Sequence, residues 1–104
     1  MKRFKFNSFA LAEMIEAARY YEKEQTGLGK DFLKKIRKAL GHIRSFPTSG
    51  TSLDYGMRKH TIRRFHYSVI YSNEADHIYI ASIMHQNRHP DHWKDNLKEG
   101  TGRL

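Results

Sequence analysis

The first part of the chain shows a short period-two pattern followed by a helical one. Phe4 and Phe6 alternate with basic residues, which indicates a short, half-buried strand. The apolar residues that follow recur every three or four positions, so a helix is predicted to begin after an N-cap at Asn7 or Ser8. It should end at Thr26–Gly27, where the glycine can adopt the left-handed conformation that terminates helices. The face expected to lie inward comprises Leu11, Met14, Ile15, Ala18 and Tyr21.

A second helical pattern begins at Gly29 and ends before Pro47, because the residue that precedes a proline avoids the helical conformation. One face of this helix is apolar and the other is strongly basic. The expected inward face comprises Phe32, Leu33, Ile36, Leu40 and Ile43. Two helices joined by a few residues pack antiparallel, so a helical hairpin is predicted. Residues 47–56 are dense in turn-forming residues and predict a surface loop.

From Met57 onward the pattern changes to that of strands. Strands are predicted over residues 57–64, 65–72 and 77–84, which form an antiparallel meander. Together with the N-terminal strand, the meander should form one twisted sheet that the helical hairpin covers on one face, leaving the other face partly open. The predicted fold class is therefore α+β, with one domain over residues 1–98. Residues 99–104 are expected to be a frayed tail.

The charge of the chain is strongly positive. Nineteen Lys and Arg residues against 11 Asp and Glu give a formal net charge of +8, which favours acidic partners such as nucleic acid or an acidic protein. A basic surface that serves solubility alone is the alternative. The chain has no cysteine, which excludes disulfides, zinc–thiolate sites and thiol nucleophiles. We find neither a membrane-spanning apolar run nor a signal-peptide pattern, so a cytoplasmic location is predicted.

A basic segment without acidic residues runs over residues 58–66. Lys and Arg on a strand can neutralise phosphates, and neighbouring aromatic side chains can stack on bases. The candidate binding residues are Arg58, Lys59, Arg63, Tyr67 and Trp93. Two alternatives remain open: the charges can protect an edge strand from aggregation, and the aromatic residues can belong to the core.

Three histidines, His85, His89 and His92, follow the last predicted strand. A helix would place their imidazoles on one side, as in a metal site. Pro90 breaks such a helix and no glutamate completes a ligand motif, so we predict no metal and no cofactor. A histidine in this segment is better suited to contact a phosphate or to transfer protons near neutral pH.

Two stretches of the sequence, together with the predicted order of elements, carry a resemblance to a known family. The stretches are residues 62–71 and the motif His85-x-x-Arg88-x-Pro90-x-x-Trp93. They resemble the RelE/ParE superfamily of toxins from type II toxin–antitoxin systems over nearly the whole chain, and the ParE-like, plasmid-stabilisation branch most. The resemblance implies a RelE/ParE-like fold and a toxin that a cognate acidic antitoxin neutralises. The oligomeric state is left open.

The resemblance implies one of two targets. ParE-like members inhibit DNA gyrase by binding it, and this is the function that we expect. RelE-like members cleave ribosome-bound mRNA without a metal. In that alternative Arg64 and Arg88 would clamp the phosphate, and His85 or His92 would carry the proton. Ser68 stands where the RelE-like branch often has an arginine. A third hypothesis is a basic nucleic-acid-binding module that is not toxic.

Overall fold

Two helices pack on one face of a five-stranded sheet in the computed structural model, which describes residues 2–99. This arrangement confirms the α+β fold class. Short 3-10 turns at Asp54–Gly56 and Arg64–His66 flank the third strand. None of the helices within residues 2–99 combines the length and the apolar character that are needed to span a bilayer. In chain order the helices and strands are β1 (Arg3–Phe6), α1 (Ser8–Glu24), α2 (Leu28–Ser45), β2 (Thr51–Ser52), β3 (Arg58–Ile62), β4 (Tyr67–Asn73), β5 (His77–His85) and α3 (His92–Glu99).

The helix α3 was not predicted from the sequence. Glu99, which we assigned to a frayed tail, is its last residue. The remainder of that predicted tail, residues 100–104, lies outside the described residues.

The strand order in the sheet is β1-β5-β4-β3-β2. The strands β3, β4 and β5 run antiparallel, as predicted for the meander, whereas β1 pairs parallel to β5, so the sheet is mixed. The strand β3 ends at Ile62 and not at residue 64, because Arg63 already has helical backbone angles. The strand β4 begins at Tyr67 and not at Phe65, because the φ angles of Phe65 and His66, 71° and 54°, are incompatible with an extended strand.

The junction between α1 and α2 depends on two glycines. Gly27 has the predicted left-handed conformation (φ 89°), but it precedes α2, since α1 already ends at Glu24. The Glu22 carboxylate accepts hydrogen bonds from the backbone N–H groups of Gly27 and Gly29, at 2.9 and 3.1 Å, which satisfies free donors at the start of α2. A Cβ atom on Gly29 would lie 2.4 Å from the Ala18 carbonyl oxygen, so the two helices can approach closely only with glycine here.

The inward face of α1 follows the prediction only in part, because Met14, Ala18 and Tyr21 pack against the core as predicted but the other two residues do not. Ala10 and Ala17 are buried, whereas Leu11 and Ile15 are 43% and 40% exposed. The small alanines allow α1 to lie close to β5, and the helix is rotated so that Glu13 reaches polar groups at the edge of that strand. On α2 the prediction holds, except that Leu33 is 36% exposed.

Each face of the sheet has its own core. The larger core lies beneath the hairpin, and the smaller one lies on the opposite face, where α3 covers part of the surface that we predicted to be open. A bulge leaves Ala81 without a partner on β4, because Ile70 pairs with Ser82 and Tyr71 pairs with Ile80. The buried residues of the smaller core are Met57, Ile70, Tyr79, Ala81, Met84 and Trp93.

The segment predicted as a surface loop, residues 47–56, is tied to the sheet. It contains β2, which pairs with β3. The buried Tyr71 hydroxyl donates a hydrogen bond to the Pro47 carbonyl oxygen at 2.9 Å and accepts one from the Gly50 N–H at 3.2 Å. This side chain therefore ties the segment to the sheet, together with the pairing of β2 and the Arg58 hydrogen bond to the Gly50 carbonyl oxygen.

Replacing Tyr71 with phenylalanine should destabilise the fold. The substitution keeps the ring but leaves the Pro47 carbonyl and the Gly50 N–H without this partner, which should cost about 2 kcal/mol of unfolding free energy. Thermal denaturation followed by circular dichroism should show a melting temperature lower by roughly 8–16 °C. Tyr55→Phe, at a ring that is 74% exposed, is the matched control. Equal melting temperatures for both variants would contradict the structural role of Tyr71.

Candidate functional site

Arg88 lies just beyond the end of β5, between two surface cavities. One cavity, of about 520 Å³, opens on the sheet face opposite the hairpin, and we call it the open-face cavity. The other, of about 190 Å³, lies between α1 and the ends of β4 and β5, and we call it the hairpin-side cavity. Arg88 lines both, and its side chain is exposed. A ligand at either cavity would therefore meet this guanidinium.

The open-face cavity combines exposed cations with small polar groups. Lys59 enters it from β3, Ser68 from β4, and Gln86 and Arg88 follow β5. Lys59 alternates with residues that face the hairpin, so the pleat of β3 directs its ammonium group to this side. The result is a polar concave surface with positive charge on two sides.

An ion-pair cluster forms one wall of the open-face cavity. The Lys94 ammonium lies 2.9 Å from the Asp54 carboxylate and 3.4 Å from that of Asp91. The hydrogen bond to Asp54 raises the pKa of Lys94. Beneath this cluster Trp93 is 3% exposed, so its indole belongs to the smaller core. The wall thus joins α3 to the 3-10 turn before β3.

The hairpin-side cavity is lined by titratable rings and carboxylates. The rings of Tyr67 and His85 meet edge to face, with their centroids 5.2 Å apart. Burial, followed by the neighbouring Tyr21 hydroxyl, raises the pKa of Tyr67 to about 12, so the phenol stays protonated at neutral pH. Glu13 and Glu16 enter the cavity from α1. Each cavity has two carboxylates in its lining, but those of the open-face cavity, Asp54 and Asp91, are paired with Lys94. Lys59 adds a second cation there, so the open-face cavity is the more favourable of the two for an anion.

The turn between β3 and β4 sets the position of Tyr67. Phe65 and His66 both have positive φ angles, which is costly for residues other than glycine. The Phe65 ring compensates by packing on Tyr21 and Phe32, at centroid distances of 4.7 and 5.4 Å. The His66 carbonyl accepts a hydrogen bond from the Gln86 N–H at 2.8 Å, which fixes the turn to the end of β5.

Glu13 joins α1, β5 and α3 through one carboxylate. Its Oε1 accepts hydrogen bonds from the Ser82 hydroxyl at 2.9 Å and the Ile83 N–H at 3.0 Å, on the edge of β5 that β1 leaves uncovered. The Asn96 amide donates to the same oxygen at 3.2 Å, and His92 Nε2 lies 2.7 Å from Oε2. Glu13 was not among the residues predicted from the sequence. The sequence signal that could have identified Glu13 is its spacing of three and four residues from Ala10 and Ala17, which places it on the same face of α1 as these small residues.

The four residues predicted for RNA cleavage are placed in three environments. His85 and Arg88 line the hairpin-side cavity together. Arg64 instead lies 3.7 Å from the Asp31 carboxylate, and its guanidinium packs over the Phe65 ring. His92 is held by Glu13.

The five residues predicted for binding are also spread over the molecule. Lys59 lines the open-face cavity and Tyr67 the hairpin-side cavity. The Arg58 guanidinium donates to the Gly50 carbonyl oxygen at 2.9 Å. Arg63 is exposed in the turn after β3, and Trp93 is buried at the edge of the open-face cavity. Their roles in binding stay predictions.

The three histidines considered as metal ligands belong to different elements. His85 ends β5, His89 lies in the following turn and His92 begins α3. In the described part of the chain, no group of three or more His, Cys, Asp or Glu side chains is arranged to hold a metal ion.

Comparison with known proteins identifies the family. The sequence profile described as ParE toxin of type II toxin-antitoxin system, parDE, matches residues 4–90. The chain belongs to the ParE toxin family. The match extends from β1 through the end of β5 and includes Arg88, so the predicted resemblance to the RelE/ParE superfamily is confirmed.

A solved structure supports the ParE-like fold. It is described as the chromosomal ParDE TA system from P. aeruginosa, with a TM-score of 0.60 and 18% sequence identity, covering 82% of this chain and 96% of that chain. At this level of identity the similarity concerns the fold. A comparison with curated proteins gives no match.

Proposed function

We propose that this ParE family member is a cytoplasmic toxin that arrests growth by binding DNA gyrase, and that a cognate acidic antitoxin neutralises it. The observation that carries the choice of target is the separation of the predicted catalytic residues. Arg64 is engaged by Asp31 and His92 by Glu13, whereas His85 and Arg88 share a cavity. Metal-free RNA cleavage needs a proton carrier and cations at one phosphate. Binding to a target needs only an exposed surface.

The surface that we assign to gyrase is centred on Arg88 and the open-face cavity. Arg88 and Lys59 present exposed cations there, next to small polar side chains. Arginine is enriched among the residues that dominate binding energy at interfaces, because it combines a flat charged group with several donors. The Lys94 cluster and the buried Trp93 give this surface a rigid wall.

RNA cleavage is the second candidate, and the open-face cavity is the observation in its favour. Lys59, Gln86 and Arg88 surround a concave surface on the sheet that suits a phosphate group. Induced expression in bacteria distinguishes the candidates. Gyrase poisoning predicts growth arrest with DNA breaks and unchanged transcript ends. New 5′ ends in primer extension would favour cleavage, and normal growth would leave only the non-toxic binding module.

The antitoxin site that we propose lies on the outer side of the helical hairpin. Leu11 and Ile15 are one turn apart on α1, and Leu33 lies on α2; all three are substantially exposed. The close contact between Gly29 and Ala18 shows that this side of α1 faces α2. An apolar stripe on a protein with a net charge of +8 suits an amphipathic acidic helix.

Replacing Ile15 with aspartate should weaken antitoxin binding about 100-fold while leaving the fold intact. The charge would be buried in the apolar interface, but the side chain is 40% exposed in the toxin alone. Isothermal titration calorimetry with the protein encoded by the adjacent reading frame measures the change. Phe46→Asp introduces the same charge at a ring that is 59% exposed near the end of α2. If Phe46→Asp loses as much affinity as Ile15→Asp, or if neither variant loses affinity, the proposed antitoxin site is wrong.

A further inference from the structure

A basic depression lies between α2 and β3, on the hairpin side of the sheet. It has a volume of about 250 Å³, and its floor is apolar. Lys35, Lys38 and His42 from α2 and His60 from β3 surround it, and none of the described residues that line it is acidic. Lys35 and Lys38 are three residues apart, so they lie on one side of the helix about one turn from each other. Neither the gyrase surface nor the antitoxin site uses this depression.

Three rings form a row beside these lysines. The ring centroid of His42 lies 5.2 Å from that of Phe46 and 5.2 Å from that of His60, with 42° between the planes in both pairs. Phe46 is 59% exposed, although apolar rings of this size are normally buried. Burial, and secondarily the neighbouring His42, lowers the pKa of His60, so its ring is uncharged at neutral pH.

We propose that this surface, formed by Lys35, Lys38, His42, Phe46 and His60, binds single-stranded nucleic acid. The two ammonium groups would neutralise successive phosphates, and the exposed rings would stack on bases. Proteins that bind single strands without sequence preference combine two features: cations along the phosphate backbone and aromatic rings on which the bases stack. Duplex bases are already stacked on each other, so a duplex could use the lysines but not the rings.

The position of the surface separates it from the proposed antitoxin site. Successive residues of a helix are about 100° apart, so Lys35 lies about 200° around α2 from Leu33. An amphipathic acidic segment could also pair with the lysines and pack an apolar side chain on Phe46, so it is the competing occupant. The row of three flat rings, with centroids 5.2 Å apart, favours nucleic acid, because bases can stack on each ring. The antitoxin and a single strand could then be bound at once.

The test is fluorescence anisotropy of the full chain with a fluorescein-labelled 12-nucleotide oligo(dT), its RNA equivalent and a duplex of the same length. Lys35→Gln/Lys38→Gln should bind either single strand about tenfold more weakly, with the slope of log affinity against log salt reduced by about 1.4. Phe46→Ser should bind the single strands about tenfold more weakly, with an unchanged salt slope, and should bind the duplex as tightly as the unmodified protein does. DNA and RNA should bind alike.

A control variant with the same charge change makes the result specific. Lys23→Gln/Lys98→Gln removes two exposed lysines from α1 and α3, and it should retain most of the affinity. Thermal melts establish that each variant is folded, and native melting temperatures are expected because the substituted positions are exposed, apart from the partly buried Lys35. Unchanged binding by both depression variants, or equal loss by the control, would overturn the proposal. The proposal would also be overturned if Lys35→Gln/Lys38→Gln lost antitoxin affinity but kept full oligonucleotide binding, because the depression would then be an antitoxin contact.

Discussion

Expression of the Arg88→Ala variant should no longer arrest growth, and the purified variant should melt at the same temperature as the unmodified protein. Arg88 lies at the rim of both cavities and is exposed, so its removal should change the unfolding free energy by no more than about 0.5 kcal/mol. Loss of an arginine at the centre of a protein interface commonly costs 2 kcal/mol or more, which is roughly 30-fold in affinity for the target. Growth curves after induction, together with thermal melts, measure both quantities.

The competing explanation for Arg88 is that it merely pins the C-terminal segment. In the structure Asp91 pairs with Lys94 instead, and the segment is further held by the contacts of α3. Arg19→Ala, on the exposed side of α1, is the matched control and should remain toxic. Retained toxicity of Arg88→Ala at a native melting temperature would remove Arg88 from the site. A lowered melting temperature with retained toxicity would support the pinning role.

Glu13→Ala should lower the stability of the fold more than Tyr71→Phe does. Its carboxylate is 19% exposed and accepts hydrogen bonds from three donors on β5 and α3 while pairing with His92. Removing it leaves the Ile83 N–H at the edge of β5 and the Ser82 hydroxyl without this acceptor. Two buried donors left unpaired should cost about 3 kcal/mol, or roughly 12–24 °C in melting temperature.

Two further variants identify the cause. Glu16→Ala, on the exposed side of the same helix, should melt within a few degrees of the unmodified protein. Glu13→Gln retains an oxygen acceptor for Ile83 but loses the charge opposite His92, so its melting temperature should lie between those of the other two variants. A native melting temperature for Glu13→Ala would show that α3 and the edge of β5 are held by other contacts.

The order of elements could be predicted because it depends on local patterns. Alternating and continuous apolar runs identified the strands from Tyr67 to His85, and Asn7 caps α1 by accepting a hydrogen bond from the Phe9 N–H, as predicted. The inward face of α1 could not be predicted in the same way. It depends on contacts of Glu13 with residues 69 to 83 positions away in the chain, which helical periodicity does not report.

The missed helix α3 illustrates the same limit. Only eight residues long and polar, it gives a weak periodic signal, and packing stabilises it. Trp93 and Leu97 lie one turn apart and pack in the smaller core, while the Asn96 amide donates to the Ala81 carbonyl oxygen. These partners lie on the opposite sheet face and become visible only in the folded chain.

The candidate site could be predicted from the sequence only in part. Lys59 and Arg88 could be chosen from the sequence as exposed cations at the sheet. The sequence did not reveal that Asp31 would engage Arg64 and Glu13 would engage His92, because these ion pairs join segments distant in the chain. Arg64 and His92 therefore do not line the cavity that His85 and Arg88 share, and this is the reason for preferring a binding toxin.

The most direct test of the gyrase assignment is a supercoiling assay with purified gyrase, relaxed plasmid and the full chain. We expect the toxin to block supercoiling and to trap cleaved DNA. The adjacent-frame antitoxin should reverse both effects, and Arg88→Ala should produce neither. The gyrase assignment would be contradicted by the following pair of results: expression of the toxin arrests growth, but the purified toxin leaves supercoiling normal at concentrations well above that of gyrase.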